Sequence, residues 1–286
     1  MGSAPIGNRR AASERETYIS PTPVQDCPQT SGMSQATHLS AALLQAPEAR
    51  PETAAQQASA LAFDWRTQLA APLLGLLLLS VPLIAWDLDF EVAGWLWRWQ
   101  GEQWLLKNSI WTETVLHQGG RALSQLGFLI VFVLAWRSRT RVELRRSTRP
   151  LLYLALAVLL STAVVALGKR AMTYDCPWDM QAFGGDKVSL AVFERRPPNV
   201  ADGHCFPAGH ASAGYAWVAL YFAAAAAGLS RRRQRLLLLG ALLAGVTLGF
   251  AQQLRGAHFL SHDLWTAAIC WFVALALTPM LRQSSR

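Results

Sequence analysis

Six long apolar runs constrain what this chain can fold into more than any other feature of its sequence. They are predicted to cover residues 69–86, 122–136, 151–168, 210–229, 236–254 and 264–281. A helix needs about 20 apolar residues to cross the hydrocarbon core of a bilayer, so runs of this length predict membrane-spanning helices. The second run is short, and we expect flanking Leu and Trp residues to extend it. The expected fold is all-α, a bundle of six transmembrane helices.

The chain carries a net positive charge, and the position of the cations relative to these runs determines what that charge indicates. The chain is 52% hydrophobic and 15% charged, with a formal net charge of +8. A soluble protein this basic would be expected to bind nucleic acid. Here the cations lie between apolar runs, where they report orientation in the membrane instead. We therefore expect the lipid bilayer as a partner and no nucleic acid, and the oligomeric state is left open.

Two parts of the chain differ in composition. Residues 1–65 are rich in Ala, Ser, Thr, Gln and Pro and show no apolar periodicity. Such a segment cannot bury a core, which predicts a disordered N-terminal tail. It also lacks the apolar stretch after a basic start that marks a secretory signal. Residues 66–286 are expected to form the membrane domain.

Arginine-rich segments predict the topology of that domain. Residues 137–149 hold six Arg and residues 230–235 hold four, and basic loops of this kind are retained in the cytoplasm. Alternation then places 87–120, 169–209 and 255–263 on the opposite side, with both termini cytoplasmic. In a bacterial-type inner membrane the opposite side is the periplasm.

The first of these outer segments, residues 87–120, is rich in tryptophan. A Trp-rich amphipathic stretch between two spans is typical of chain that lies in the interface plane of the membrane. We expect His117, near the end of this stretch, to be an interface residue.

Three polar groups converge on the same outer face: one ends the third run, one opens the fourth, and one joins the last two. Their candidate residues are Lys169, Arg170, Ala208, Gly209, His210, Arg255, His258, His262 and Asp263. Ionisable groups held at a membrane are costly unless they are used. These residues are therefore the candidates for chemistry.

The residue types in these groups suit the binding and transfer of phosphate. A helix N-terminus offers free backbone N–H groups and a positive dipole end, and Gly209 lets the backbone approach a ligand closely. Lys169 and Arg255 add fixed positive charge. His210 and His258 can move protons or attack phosphorus near neutral pH. Together they predict a phosphoryl-transfer site, in which positioning and charge stabilisation dominate.

The three groups resemble the three motifs of the type 2 phosphatidic acid phosphatase superfamily, in its membrane lipid phosphatase branch. The resemblance covers about 66–286. The first motif is Lys, six residues, then Arg-Pro, and here Lys169 is followed by Cys176 and Pro177. The second is Pro-Ser-Gly-His, and residues 207–210 read Pro-Ala-Gly-His.

The third motif is Ser-Arg, five residues, His, three residues, Asp, and here Gln252, His258 and His262 take the Arg, His and Asp places. The resemblance implies that His258 attacks phosphorus and carries a phosphohistidine, and that His210 protonates the leaving oxygen. It implies that Lys169 and the amides around Gly209 hold the phosphate oxygens. It also implies no metal and no cofactor, and inhibition by vanadate.

The departures from these motifs have physical consequences. Cys176 and Gln252 each remove a cation, for which Arg170 and Arg255 are the candidate replacements. Arg255 lies one helical turn after Gln252, so its side chain can reach the same phosphate. Ala208 lacks a hydroxyl donor, and such a bond to an anion is worth roughly 1.5–3 kcal/mol.

His262 replaces the carboxylate that would orient the nucleophile. It lies at i+4 from His258, so we expect its neutral imidazole to accept the His258 N–H. Asp263 is expected to polarise His262 in turn. Because a carboxylate would do this better, we expect slower turnover or a coupled histidine pair.

The two cysteines of the outer segment, Cys176 and Cys205, allow two interpretations. They can form a disulfide that pins residues 177–204 in an oxidising periplasm, or they can remain unpaired thiols, because sequence does not determine pairing. A zinc site made by His258, His262, His204 and Cys205 is a further alternative. We expect no metal, because Lys169 and Arg255 would repel a cation.

These observations predict an integral membrane phosphatase that hydrolyses a lipid phosphate or lipid diphosphate at the periplasmic face through a phosphohistidine. A lipid-to-lipid phosphotransferase would use the same site. The alternative from another class is a non-catalytic protein, either a transporter or a lipid-binding relic. Transporters bury ionisable groups in the middle of their spans more often, and the six runs contain almost none.

Overall fold

The computed structural model describes residues 64–188 and 202–281, and within these residues the protein is helical. The helices are α1 (Arg66–Ala85), α2 (Leu88–Trp99), α3 (Ile110–Arg137), α4 (Val142–Ala171), α5 (Ser212–Ala226), α6 (Arg231–Leu254) and α7 (Leu260–Ala276). The predicted disordered tail, apart from its last two residues, lies outside the described residues. So do residues 189–201 of the segment between the two outer cysteines.

Four of these helices, α1, α3, α4 and α6, are long and apolar enough to cross a membrane, by length and composition. The fourth and sixth predicted spans correspond to the shorter apolar helices α5 and α7. Helix α5 ends before the predicted end of its span because Gly228 adopts a positive φ, the backbone conformation that terminates many helices. Helix α7 is followed by Pro279, which cannot continue a regular helix. Six full spans and their orientation remain predictions.

The main core lies where α4, α5, α6 and α7 meet. Tyr153 and Ala157 of α4 and Ala216 and Phe222 of α5 are buried there. The Tyr153 hydroxyl donates a hydrogen bond to the carbonyl of Ala274 in α7, at 2.8 Å. The short side chains let the helix backbones approach closely, which is how apolar helices gain packing energy within lipid.

Two glycines bring α5 and α6 into direct backbone contact. A Cβ added to Gly214 would lie 2.3 Å from the backbone nitrogen of Gly245, and one added to Gly245 would lie 2.2 Å from the Tyr215 ring. This contact, two residues beyond the start of α5, determines where the beginning of α5 lies relative to α6.

A second, aromatic cluster covers the polar end of the bundle. Phe183 packs against Phe90 of α2, with ring centroids 4.6 Å apart, and against Trp97 and Trp104 at 6.2 Å. The carboxylate of Asp89 accepts a hydrogen bond from the Ser261 backbone N–H at 2.9 Å. Because Ser261 opens α7, this bond ties α2 to the polar end, and the predicted interface stretch is in part a cap over it.

Candidate active site

The polar end of the bundle brings together the end of α4, the turn before α5 and the loop before α7. Gly168 of α4 faces Pro207, where an added Cβ would lie 3.2 Å from the proline ring. The Ala208 N–H donates to the carbonyl of His262 at 3.4 Å, and the Thr266 hydroxyl donates to both the Ala208 and His262 carbonyls. Three segments far apart in sequence are thus held together.

Lys169 runs alongside the turn that opens α5. Its Cδ atom would be 3.9 Å from a Cβ built on Gly209, and the side chain is partly buried. Because Gly209 has no side chain, the space between the lysine stem and the turn stays open. The Ser212 hydroxyl donates to the Gly209 carbonyl at 2.6 Å and holds the turn in shape. This arrangement suits a small anion beside a helix N-terminus.

The predicted nucleophile, His258, lies buried in the loop between α6 and α7. Burial holds its pKa well below the ordinary histidine value, and the neighbouring His262, Lys169 and His210 act in the same direction. The imidazole is therefore neutral near pH 7, which is the form that can attack phosphorus.

A disulfide joins Cys176 and Cys205, with Cα atoms 5.3 Å apart, and it lies next to His258. Cys205 Sγ is 3.7 Å from Nδ1 of His258. Cys176 stands at the position where the first motif has an arginine, so the bridge takes the place of one cation and contacts the loop that carries His258.

The predicted acid, His210, lies at the start of α5 in a field of positive charge. Desolvation lowers its pKa to about 4, and His117, Lys169, Arg121 and Arg255 act in the same direction, in that order. The charges that disfavour a proton on His210 favour a bound anion. A phosphate dianion would cancel this field and raise the pKa of His210, so the proton and the substrate are expected to bind together.

Arg255, predicted to bind phosphate, is buried, and its guanidinium forms hydrogen bonds and an ion pair with other residues of the protein. Its Nε donates to the carbonyl of Lys107 at 2.8 Å, and Nη1 donates to the side-chain oxygen of Gln252 at 3.1 Å. Nη1 also donates to Nδ1 of His117, and Nη2 forms an ion pair with Glu113. The guanidinium therefore acts on the site through its charge and through these partners, and Gln252 serves as one of its supports.

Arg170 and the pair His262–Asp263 differ from their predicted roles. Arg170 is exposed, one residue past Lys169 and hence on a different side of α4. The His258 and His262 rings have centroids 5.7 Å apart, and Nδ1 of His262 has no hydrogen-bond partner among the described residues. Phe206 and Phe259 pack against the His262 ring at 5.2 and 5.5 Å, which places it in an apolar setting.

Asp263 points toward α6 and away from its predicted partner. Its carboxylate accepts a hydrogen bond from the side chain of Gln253 and lies against Gly249. Consecutive helical residues face different directions, so Asp263 cannot share a face with His262. The structure gives Asp263 a role in joining α6 to α7, and the predicted polarisation of His262 is absent from its described contacts.

The zinc alternative conflicts with the disulfide. Ligand atoms of Cys205, His258 and His262 lie within 4.8 Å of one another, and all three residues are buried. Zinc needs the cysteine as a thiolate, and the bond to Cys176 removes it. His204, the fourth residue of that alternative, is exposed, and its Nδ1 lies 3.2 Å from the carbonyl of Met172.

Sequence reasoning missed the contribution of α3. Glu113 and His117 contact Arg255, and Arg121 adds charge near His210. The available signal was their spacing: positions 113, 117 and 121 are four residues apart and share one face of a helix. For His117 only an interface position was considered, and its contact with the His210 ring, 3.7 Å centroid to centroid, was missed.

Comparison with known proteins supports the resemblance seen in the motifs. The model of the PAP2 superfamily matches residues 150–286, a span that starts in α4 and contains Lys169, His210 and His258. No curated protein and no solved structure matches the chain. Helices α1 to α3 precede the matched span, so the match is narrower than the resemblance. The match covers just under half of the chain and is consistent with a PAP2 superfamily member.

Proposed function

We propose that this protein is an integral membrane phosphatase that hydrolyses a lipid phosphate or lipid diphosphate through a phosphohistidine on His258. The observation that carries the proposal is the placing of Lys169, the Gly209 turn, His210 and His258 at one end of the bundle, within the span that matches the superfamily. The family match and the apolar helices fit a membrane phosphatase, and the lipid substrate is our inference.

In the first step, a nitrogen of His258 attacks phosphorus while the bond to the leaving oxygen breaks. Nδ1 faces the disulfide sulfur, which leaves Nε2 as the attacking atom. His210, protonated when the anion is bound, gives its proton to the leaving oxygen. The charges of Lys169 and Arg255 stabilise the negative charge on the transferring group.

In the second step, water replaces the leaving group. His210, now neutral, takes a proton from the water as the water oxygen attacks phosphorus, and the bond to His258 breaks. Phosphate leaves, and both histidines return to their starting states. The proton count balances over the two steps, and neither step uses a metal ion.

The proposed face is the periplasmic one, and the arrangement of helices supports it. The arginines between α3 and α4 and those at the start of α6 lie at the opposite ends of these helices from Lys169 and Arg255. Basic loops are retained in the cytoplasm. A lipid substrate whose tail stays in the bilayer would present its headgroup to the site from the side.

The test is phosphate release from a panel of lipid phosphates by the purified full chain. Suitable members are polyprenyl diphosphate, phosphatidylglycerol phosphate, phosphatidic acid and lipid A phosphate. We expect the wild-type protein to release phosphate from at least one lipid, and His258→Ala to lose about 1,000-fold or more, as expected for removal of a nucleophile. Equal release by both proteins would falsify the mechanism.

The matched control is His204→Ala, which removes an exposed histidine near the site and should keep wild-type activity. Transfer of a radiolabelled phosphate to a second lipid without release of free phosphate would contradict hydrolysis and favour phosphotransfer. Vanadate, which mimics pentacoordinate phosphorus, should inhibit the wild-type protein.

A further inference from the structure

The beginning of α3, which lies outside the superfamily match, reaches into the site described above. We propose that Glu113 and His117 are positioning residues of the phosphatase site, holding Arg255 and His210 in place. The inference rests on the proposed function and extends it to residues that the three motifs do not include. Three structural observations carry it: how Arg255 is held, which state the His117 ring is in, and how that ring contacts His210.

The first observation is the way in which Arg255 is held. Glu113 forms an ion pair with its Nη2, and Nδ1 of His117 accepts a hydrogen bond from its Nη1. The guanidinium also donates to the Lys107 carbonyl and the Gln252 side chain, and its Cζ lies 5.9 Å from the centroid of the Trp178 ring. An arginine that is 6% exposed needs such partners, because a buried cation without them is costly. Two residues of α3 thus supply the only ionisable partners of Arg255 in the described part of the chain.

The second observation concerns the state of the His117 ring. An arginine is always protonated and can only donate. Nδ1 of His117, which also lies 3.3 Å from the Glu113 carboxylate, accepts in the bond from Arg255. With Nδ1 as acceptor, the ring is neutral and carries its proton on Nε2. A neutral ring opposes a proton on His210 less than a charged ring would, so His210 can still take up a proton during the transfer.

The third observation is the contact between the two histidines. The His117 and His210 rings lie 3.7 Å apart, centroid to centroid, and are inclined at 70°. This edge-to-face contact restricts the orientation of the His210 ring, since it cannot turn without displacing His117. Arg255, His117 and His210 thus form one continuous chain of contacts from α6 through α3 to α5.

The chain lacks the two arginines of the superfamily motifs, and these contacts show how the site holds the buried arginine that it keeps. Cys176 and Gln252 stand at the arginine positions, and Gln252 binds the guanidinium of Arg255. The site keeps one buried arginine, and α3 determines where it lies. The remaining charges near His210 come from Arg121 of α3 and Lys169 of α4.

The experiment compares His117→Ala, His117→Asn and Glu113→Gln with wild type, using the panel lipid that wild type hydrolyses fastest. A side-chain oxygen of asparagine can accept the Arg255 hydrogen bond close to where Nδ1 lay. We expect His117→Ala to lower kcat about 10- to 100-fold with KM within about threefold, because the loss is one of positioning. His117→Asn should recover kcat to within about threefold of wild type, and Glu113→Gln should fall between them.

The pH profile separates positioning from a purely structural role. His117, Arg121, Lys169 and Arg255 all oppose protonation of His210. Removing His117 should therefore raise the pKa of His210 and move the alkaline limb of kcat/KM to higher pH. The controls are His204→Asn and Glu91→Gln, both exposed, and neither should change kcat or the profile.

Two results would overturn the proposal. One is a His117→Ala protein with kcat within twofold of wild type. The other is a loss of activity in His117→Ala that is only proportional to the loss of folded protein, with an unchanged pH profile and no recovery in His117→Asn. If wild type is active, His258→Ala is inactive and His117→Ala resembles wild type, this inference alone fails. If wild type and His258→Ala behave alike, the proposed function fails and this inference falls with it.

Discussion

Helices α1 and α3 are called the outer helices here because little of their surface is buried, and α4 and α6 are called the inner helices. The two pairs differ in burial far more than in composition. Mean hydropathy is 2.0 and 1.5 in the outer pair and 2.4 and 1.7 in the inner pair. The buried share of the same windows is 11% and 6% in the outer pair but 39% and 33% in the inner pair. Apolar composition therefore indicates a membrane but does not say which helices build the core and the site.

One end of α3 breaks this division. Most of the helix exposes leucine and phenylalanine, whereas Glu113 and His117 near its start contact the buried Arg255. The polar end of this outer helix thus contacts the part of the chain that the family model matches. The predictions below test how sharply the inner polar end, the inner packing and the outer surface differ.

Among the variants compared here, the largest effect is expected for Lys169→Met, which keeps the length of the side chain but removes its charge. We expect kcat/KM to fall roughly 10²- to 10³-fold, as for the loss of one group that stabilises transition-state charge. Arg170→Met, one residue away and exposed, should stay within about threefold. Phosphate release measured on both variants tests this, and equal losses would contradict the placing of Lys169 beside the Gly209 turn.

The sequence predicted the polar end better than it predicted the connections within it. Residue type and order along the chain were enough to place Lys169, Gly209, His210 and His258 on one face, because helix ends alternate between the two sides of a membrane. The PAP2 superfamily model matches residues 150–286, in agreement with the resemblance seen in the motifs. The same reasoning predicted an all-helical fold, which the described residues show.

What could not be predicted depends on side-chain directions between distant segments. Arg255 was expected to bind phosphate, but whether its donors are free depends on α3, more than 130 residues earlier in the chain. Asp263 was paired with its neighbour His262, whereas helical geometry turns it toward Gln253. The two shorter helices, α5 and α7, end where Gly228 and Pro279 interrupt regular hydrogen bonding, which hydropathy does not detect.

The second-largest effect is expected for Cys176→Ser, which removes the disulfide to Cys205 across a sequence separation of 29. A bridge closing a loop of this size typically contributes about 2–4 kcal/mol. We expect a lower Tm in detergent and the loss of the mobility difference between reduced and non-reduced gels. Cys27→Ser, outside the described residues, is the control. Alkylation of both Cys176 and Cys205 in wild type without prior reduction would contradict the bridge.

A smaller loss of stability is expected for Gly245→Ala in α6. The new Cβ would lie 2.2 Å from the Tyr215 ring, and overpacking of this kind typically costs about 1–3 kcal/mol. Gly240→Ala, on the same helix, meets nothing within 4 Å, so it should be neutral or stabilising by up to about 1 kcal/mol. Thermal unfolding of the two variants measures the difference, and equal Tm values would argue against the close α5–α6 contact.

The pH dependence of activity tests whether His258 titrates as a buried histidine or as an ordinary exposed one. Burial holds the pKa of His258 well below its usual value, so the nucleophile stays neutral as the pH falls through about 6.5. His210, with its pKa lowered to about 4, gains its proton more readily as the pH falls. Both lowered pKa values therefore predict that kcat/KM does not decrease as the pH falls from 7.5 to 5.5. A decrease with a midpoint at or above 6.5 would show that His258 titrates normally.

The smallest effect is expected on the outer surface, for Leu129→Ala in α3. Leu129 is 55% exposed, and lipid tails are as apolar as leucine, so little transfer energy is lost when it is shortened. We expect a change within about 0.5 kcal/mol when unfolding is measured in detergent or bilayers. Val158→Ala in α4, where the valine is 4% exposed, should cost more, about 1–2 kcal/mol for the loss of buried methyl groups. If Leu129→Ala costs as much as Val158→Ala, the outer face of α3 packs against another protein surface, and the division between outer and inner helices does not hold.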